Sequence, residues 1–329
     1  MLALDKVEDL VAEFFKKFGI YNLTGNEHEK LALSLINDEI QNVAKLYDSH
    51  RLHVYESIVK IFHQLVIEKK PNAYNIEERF EKIEQTFKIY RSDIMYQHLE
   101  IVIDLLRYEY YVWLEDSPQT LQAMMRVNKS ISFLLSNYGL YIYPMQFLIT
   151  KTRQSIEQDR EETLYEDNIN SLYDFEPETD DISKYITYMI YRGLSCYYAE
   201  RHEEAIRWFK KLYDEIDNNL FKNVMREVQL IIVLLYIFTD EKEMARQQLK
   251  KYFPSSNAVE NSPSYIQIFY RLLDYCVFKE NKKDLLPIIT EETNQLRKIR
   301  INHFSPILMI KLDKKLINKL ADRFEYSDQ

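Results

Sequence analysis

The chain has 329 residues, enough to bury a sizeable apolar core without a disulfide or metal staple. With only 4 glycines it has little material for phosphate-cradling loops or nucleophile elbows, and no segment matches either, which argues against nucleotide-handling and serine-hydrolase chemistry. A formal charge of −9 without a dense basic face argues against a nucleic-acid surface, where each phosphate contact needs its own cation.

Apolar residues recur at three- and four-residue spacing in most of the chain, which predicts an all-α protein with no β-sheet. The first helix carries Val7, Leu10, Val11, Phe14, Phe15 and Phe18 on one face, while Asp5, Glu8, Asp9 and Glu13 interrupt the uncharged core that a signal peptide would need. Further helices are expected at 28–47, 51–68, 74–91, 93–115, 119–137, 143–157, 182–199, 203–217, 220–239, 241–252, 264–279, 282–299 and 305–324. Their short connections, holding Pro, Gly, Asn or Asp, predict antiparallel hairpins. The unbroken apolar run at 230–239 falls well short of the ~18 residues of a membrane span. A cytoplasmic location away from the membrane is the expectation, and Cys196 and Cys276, each inside an apolar helical pattern, fit a reducing compartment.

In the first half, His50 and His53 lie three apart and His63 ten further on, but no carboxylate stands at a ligand offset, so ordinary helical histidines and no metal are expected. The run 108–113, with Tyr138, Tyr141 and Tyr143, either packs in the core or lines an aromatic groove that grips a peptide; Tyr110, Tyr111 and Trp113 are its candidate partner-binding residues. Arg91, Arg107, Arg126, Arg153, Arg192, Arg207 and Arg226 fall on expected helices, where an inner face can hold carboxylate or phosphate groups in two-pronged fashion; Arg192 is the candidate partner-binding residue among them.

Acidic residues crowd 157–181 against Arg160 alone, and helical periodicity fades there. The stretch 158–181 reads as an acidic linker or loop between a helical region, 1–157, and a second one, 182–329. It is either a solvated connector or a lure for a basic partner. From 282 to 323 the sign reverses to a mild basic excess.

The second region repeats with a period of 40 residues. Ala205, Ala245 and Leu285 open equivalent second helices; Phe209, Leu249 and Ile289 lie four positions on; Tyr198, Phe238 and Phe278 lie seven back; Cys196, Tyr236 and Cys276 nine back; Gly193, Val233 and Leu273 twelve back. Polar turns at 200–204, 240–244 and 280–284 occupy one place in each unit. A single hairpin cannot bury both its faces, so stacking of successive pairs completes the core. Cys196 and His202 are six apart, which fits a core thiol and a surface histidine better than a nucleophile and its base.

The segment Gly193-Leu194, Tyr197-Tyr198, Glu203-Glu204-Ala205-Ile206 and Phe209 resembles the tetratricopeptide repeat: a small residue where two helices approach, Ala at their crossing and an aromatic that closes the hairpin. Met189 and Asp217 depart from the family pattern, as does the period of 40 against about 34. Upstream, Glu109, Val112, Leu114, Leu121 and Met125 echo the unit loosely, so the first region is expected to hold divergent repeats. The resemblance implies a right-handed α-α superhelix with a C-terminal capping helix, acting as a non-catalytic scaffold for a protein or peptide partner, with no cofactor. A peptide- or ligand-sensing regulator is the alternative, although 17–30, with Gly19 and Gly25, lacks a basic recognition helix. A helical enzyme working through groove carboxylates comes third.

Overall fold

In chain order the helices of the computed structural model are α1 (Leu2–Thr24), α2 (Glu27–Leu46), α3 (His50–Phe62), α4 (Ala73–Ile89), α5 (Ile94–Trp113), α6 (Ser117–Ser136), α7 (Met145–Glu157) and α8 (Thr163–Leu172). Then follow α9 (Ile182–Tyr198), α10 (His202–Glu215), α11 (Lys222–Phe238), α12 (Lys242–Tyr252), α13 (Asn257–Glu260), α14 (Ser264–Phe278), α15 (Leu285–Lys298) and α16 (Lys314–Asp322). A π-helical turn (His63–Glu68) extends α3, and a 3-10 turn (Ile307–Met309) precedes α16. The structure describes residues 2–47, 49–136, 142–172, 175, 181–216, 219–254, 257–278 and 285–322. Among them there is no strand, and no helix is long and apolar enough to cross a membrane.

The chain divides into two compact units. Unit 1 holds 1–151 and 167–185; unit 2 holds 152–166 and 186–329. In unit 1, α1 packs on α2, α3 lies against both, and α5 packs on α6. Gly25, at φ 64°, ends α1 in the left-handed region, its N–H reaching the Tyr21 carbonyl at 2.7 Å, and Asn26 caps α2. The core between α1 and α3 is aromatic: the Phe62 ring meets Phe15 and Phe18 edge-on at 5.0 and 4.7 Å.

In unit 2, α11 packs on both α10 and α12, and α14 packs on α11 and α15. α11 is buried all round, as its nearly continuous apolar sequence from Val228 to Phe238 requires. The hairpin turns repeat atom for atom across 40 residues. Glu200 and Asp240 are both left-handed, at φ 58° and 61°. Behind them Arg201 N donates to the Cys196 carbonyl and Glu241 N to the Tyr236 carbonyl, each at 2.9 Å, and Ala205 N and Ala245 N donate to Arg201 and Glu241, each at 3.0 Å. This is a helix-ending Schellman turn followed directly by a new helix.

A Schellman turn also closes α7, with Asp159 left-handed and Arg160 N donating to the Ser155 carbonyl at 2.8 Å, and another lies between α5 and α6, where Glu115 is left-handed and Asp116 N donates to the Tyr111 carbonyl at 3.1 Å. The turn at Glu115 aligns Thr120 with Ala205, one residue away from the register expected for the upstream echo. Leu121 and Met125 are accordingly exposed, at 47% and 54%, whereas Thr120 and Ala123 are buried.

Two further expectations are corrected. The stretch 158–181 is no simple linker: α8 occupies its middle, with Leu164, Asn168 and Leu172 buried at four-residue spacing, and its residues divide between the units at 166/167. The single helix expected at 305–324 is interrupted. Pro306 starts a 3-10 turn, Ile310 is extended at φ −83° and ψ 123°, and a helix resumes only at Lys314, where Asp313 Oδ1 accepts from Leu316 N at 2.8 Å.

Candidate functional site

The first helices of the three pairs in unit 2, α9, α11 and α14, each send one polar side chain to the irregular stretch 304–312. The α11 carboxyl Glu227 has no exposed surface. Its Oε1 accepts from the Tyr265 hydroxyl at 3.0 Å, and its Oε2 accepts from the Ser305 hydroxyl and from Ile307 N at 3.2 Å. Burial pushes its pKa up to about 8, while these three donors pull the other way by favouring the charged form. The Tyr198 hydroxyl donates to the Met309 carbonyl and accepts from Lys311 N at 3.0 Å, so one side chain serves both polarities of the main chain two residues apart. Burial holds that hydroxyl well above its ordinary range.

The side chains of Phe304, Ile307, Met309 and Ile310 are buried, so apolar anchoring accompanies the polar contacts. Arg297 at the end of α15 donates to the Leu312 carbonyl. Lys311 Nζ lies 2.6 Å from both Asp159 Oδ1 and Glu161 Oε1. Farther along, Lys315 reaches Glu162 at 3.9 Å and Glu200 at 3.6 Å, and Lys319 reaches Glu200 at 3.5 Å. The basic excess of the C-terminal stretch thus meets the first part of the acidic run within unit 2. An acidic stretch read as bait for a foreign cation has a cationic partner in its own chain.

Of the expected packing residues, Gly193 is the most sharply determined: a Cβ there would lie 2.5 Å from the Phe209 ring. Tyr198, Ala205, Phe209, Tyr236, Phe238, Ala245 and Leu249 are all buried. Phe238 lies between the ring of Tyr197, stacked at 6.1 Å, and Lys319 Nζ at 4.7 Å. Phe278 departs from its expected place in the core: it is 39% exposed, with Lys250 Nζ 5.7 Å from its ring. The Leu285 side chain, the turn at 280–284, Asp217, Tyr138 and Tyr141 lie outside the described residues.

Among the described residues, the aromatic run of unit 1 divides between the two readings offered for it. Tyr108, Tyr110 and Tyr143 are buried; the Tyr110 hydroxyl donates to Glu77 at 2.8 Å, and Tyr108 packs edge-on against Phe147 at 5.0 Å. Consecutive helical residues point around the axis, so the inward members of 108–113 belong to the core. Tyr111 is half-buried, and Trp113, 43% exposed, stacks on Tyr110.

Arg192 does not project freely for a ligand. Its guanidinium lies 4.5 Å over Trp208 and its Nη1 donates to the Tyr188 hydroxyl at 3.0 Å. Arg107 and Arg126 share Asp104, Arg226 donates to Ser262 at 2.6 Å, and Arg91, Arg153 and Arg207 are exposed.

The three histidines have separate environments. His50 stacks on Tyr90 and bonds Tyr96, His63 is buried beside Ser34 and Glu68, and His53 lines an open groove of about 530 Å³ between α3 and α4. No cluster of three His, Cys, Asp or Glu among the described residues is placed to hold a metal ion. Burial, aided by Glu204, pushes the Cys196 thiol up to about 12, and burial alone does the same for Cys276, so neither is a ready nucleophile.

Sequence reasoning missed Glu227, Ser305 and Lys311 as a connected set. One signal was present: Glu227 is a lone carboxyl on a helix apolar on every side, and a charged side chain is buried there only with partners. Comparison with protein-family models, curated proteins and solved structures finds no match.

Proposed function

We propose that this protein is a non-catalytic helical-repeat scaffold. In this reading the pairs α9–α10, α11–α12 and α14–α15 stack as a tetratricopeptide-like right-handed superhelix, and the face formed by their first helices binds an extended segment of a protein partner. The observation that carries the reading is the contact pattern on that face. Tyr198 and Glu227 meet main-chain N–H and carbonyl groups of an irregular segment, and Glu227 also takes the Ser305 hydroxyl, which is how a surface holds the backbone of a peptide while reading some of its side chains. The duplicated Schellman turn and the Gly193–Phe209 contact support the stacking, since both recur or fit where a repeat demands them.

The test is affinity capture by the full tagged chain from its native source, followed by hydrogen exchange on the purified complex. A specific partner that protects amides of α9, α11 and α14 is the expected result. A footprint confined to unit 1, or no specific partner alongside turnover of a small molecule, overturns the proposal.

A further inference from the structure

We propose that residues 304–311 are a ligand held in cis, and that the partner of this face is a peptide that takes the same course around a 3-10 turn and carries the same pattern: a hydroxyl residue, Pro, an aliphatic residue, any residue, two apolar residues and a basic one. The inference rests on the scaffold reading above and names its ligand. The pattern follows from the contacts. The hydroxyl of Ser305 and the N–H two residues on share Glu227; the carbonyl four residues on and the N–H six residues on share Tyr198; the ammonium of Lys311 is taken by Asp159 and Glu161. Ile307, Met309 and Ile310 supply buried aliphatic anchors between these polar points, whereas Leu308 is only half-buried and therefore unspecified.

Three features set this segment apart from an ordinary stretch of core. It lies between α15 and α16 as an irregular stretch of an otherwise helical chain, and side chains of distant helices, besides its own 3-10 turn, satisfy its main-chain groups. Its central contact is a fully buried carboxyl two of whose three donors belong to the segment. Well-packed apolar residues in the place of a buried charge are often neutral or stabilising, so stability alone does not call for Glu227 there. Finally, the Lys311 latch is open to water on one side, Asp159 being 82% exposed, so the end of the segment is held by a contact that salt and competing charge weaken.

A ligand tethered in cis competes at an effective concentration that short flexible connections place in the millimolar range. A free peptide of the same sequence therefore gains access only when the latch is loosened. The experiment uses the full-length chain, a fluorescein-labelled synthetic peptide of residues 302–313 and its scrambled control. Binding is read by anisotropy, and opening by amide exchange at Ile307 and Lys311.

Lys311→Glu is expected to speed exchange at both amides and to bind the peptide about tenfold more tightly than the wild type does. Adding Tyr198→Phe to that variant removes the gain, and the scrambled peptide binds neither. If Lys311→Glu leaves exchange unchanged, Ser305→Ala is added to release the Glu227 contact and the pair is read in the same way; a segment that exchanges no faster in the double variant is fixed core, which overturns the proposal.

A chain shown open by exchange that takes up no peptide overturns the proposal, as does peptide binding indifferent to Tyr198→Phe. A concentration-dependent dimer of the open variant without peptide also overturns it, by assigning the face to the segment of a second copy. None of these outcomes touches the scaffold reading, which stands or falls on the footprint of a captured partner.

Discussion

The two units are built from the same hairpins and differ in how strictly they repeat. In unit 2 the left-handed residue, the bond across the turn and the alanine that follows recur after 40 residues, at Glu200 and again at Asp240. Among the described residues unit 1 uses that turn at Glu115 and closes other helices differently, with Gly25 after α1 and a π-helical turn after α3. They also bury opposite charges: Lys151, the most deeply buried charged side chain described in unit 1, against Glu227 in unit 2. A shared hairpin geometry therefore does not make a repeat; equivalent residues at the helix crossings do.

The largest expected effect tests that distinction. Phe209 is fully buried against Gly193, and Phe209→Ala should cost about 3–5 kcal/mol in urea denaturation. Its counterpart under the turn alignment in unit 1 is Met124, half-buried, whose truncation should cost about 1 kcal/mol. Equal costs would make unit 1 a repeat of the same kind. The buried charges come next. Glu227 binds its proton more tightly folded than unfolded, so stability falls as pH rises from the ordinary carboxyl range toward about 8. Burial lowers the pKa of Lys151, so its contribution has the opposite sign and is lost as pH falls. Glu227→Gln should flatten the decline between pH 5 and 8, seen as a smaller difference in urea midpoints; a wild-type slope kept by that variant would show that Glu227 does not set it.

The fold class and most hairpins were legible because helical periodicity is a local property. The 40-residue repeat was legible because Gly193, Ala205 and Phe209 leave little choice of size at a close helix crossing. What escaped was decided at a distance. Phe304, Ile307, Leu308 and Ile310 have helical spacing, yet Tyr198 and Glu227, far away in sequence, engage the backbone there and Pro306 lets them. In α8 the acidic residues masked the stripe of Leu164, Asn168 and Leu172, because composition dominates a short window. The aromatic run 108–113 showed that some rings must be inward without showing which, and it was Tyr108 and Tyr110 that went in.

A middle-sized effect compares two glycines kept for different reasons. Gly193→Ala should cost about 1–3 kcal/mol, since the added methyl must displace a Phe209 ring that is itself fully packed. Gly25→Ala, penalised only for its left-handed backbone, should cost about 1 kcal/mol. A Gly193→Ala chain as stable as the wild type would mean that the ring moves freely and that the crossing in unit 2 is looser than its repeat pattern implies.

The smallest effects separate packing from recognition in unit 1. Tyr110→Phe keeps the buried ring and loses only the bond to Glu77, about 1 kcal/mol. Trp113→Ala removes a partly exposed ring and its stacking on Tyr110, again about 1 kcal/mol. A loss of this size leaves the Trp113 variant folded, as its urea midpoint checks, so it asks whether unit 1 shares in partner binding. An unchanged footprint on α9, α11 and α14 would leave recognition to unit 2, whereas loss of the partner from a chain of wild-type stability would give unit 1 a recognition surface of its own, reached by a single outward aromatic and not by the wall of tyrosines around it.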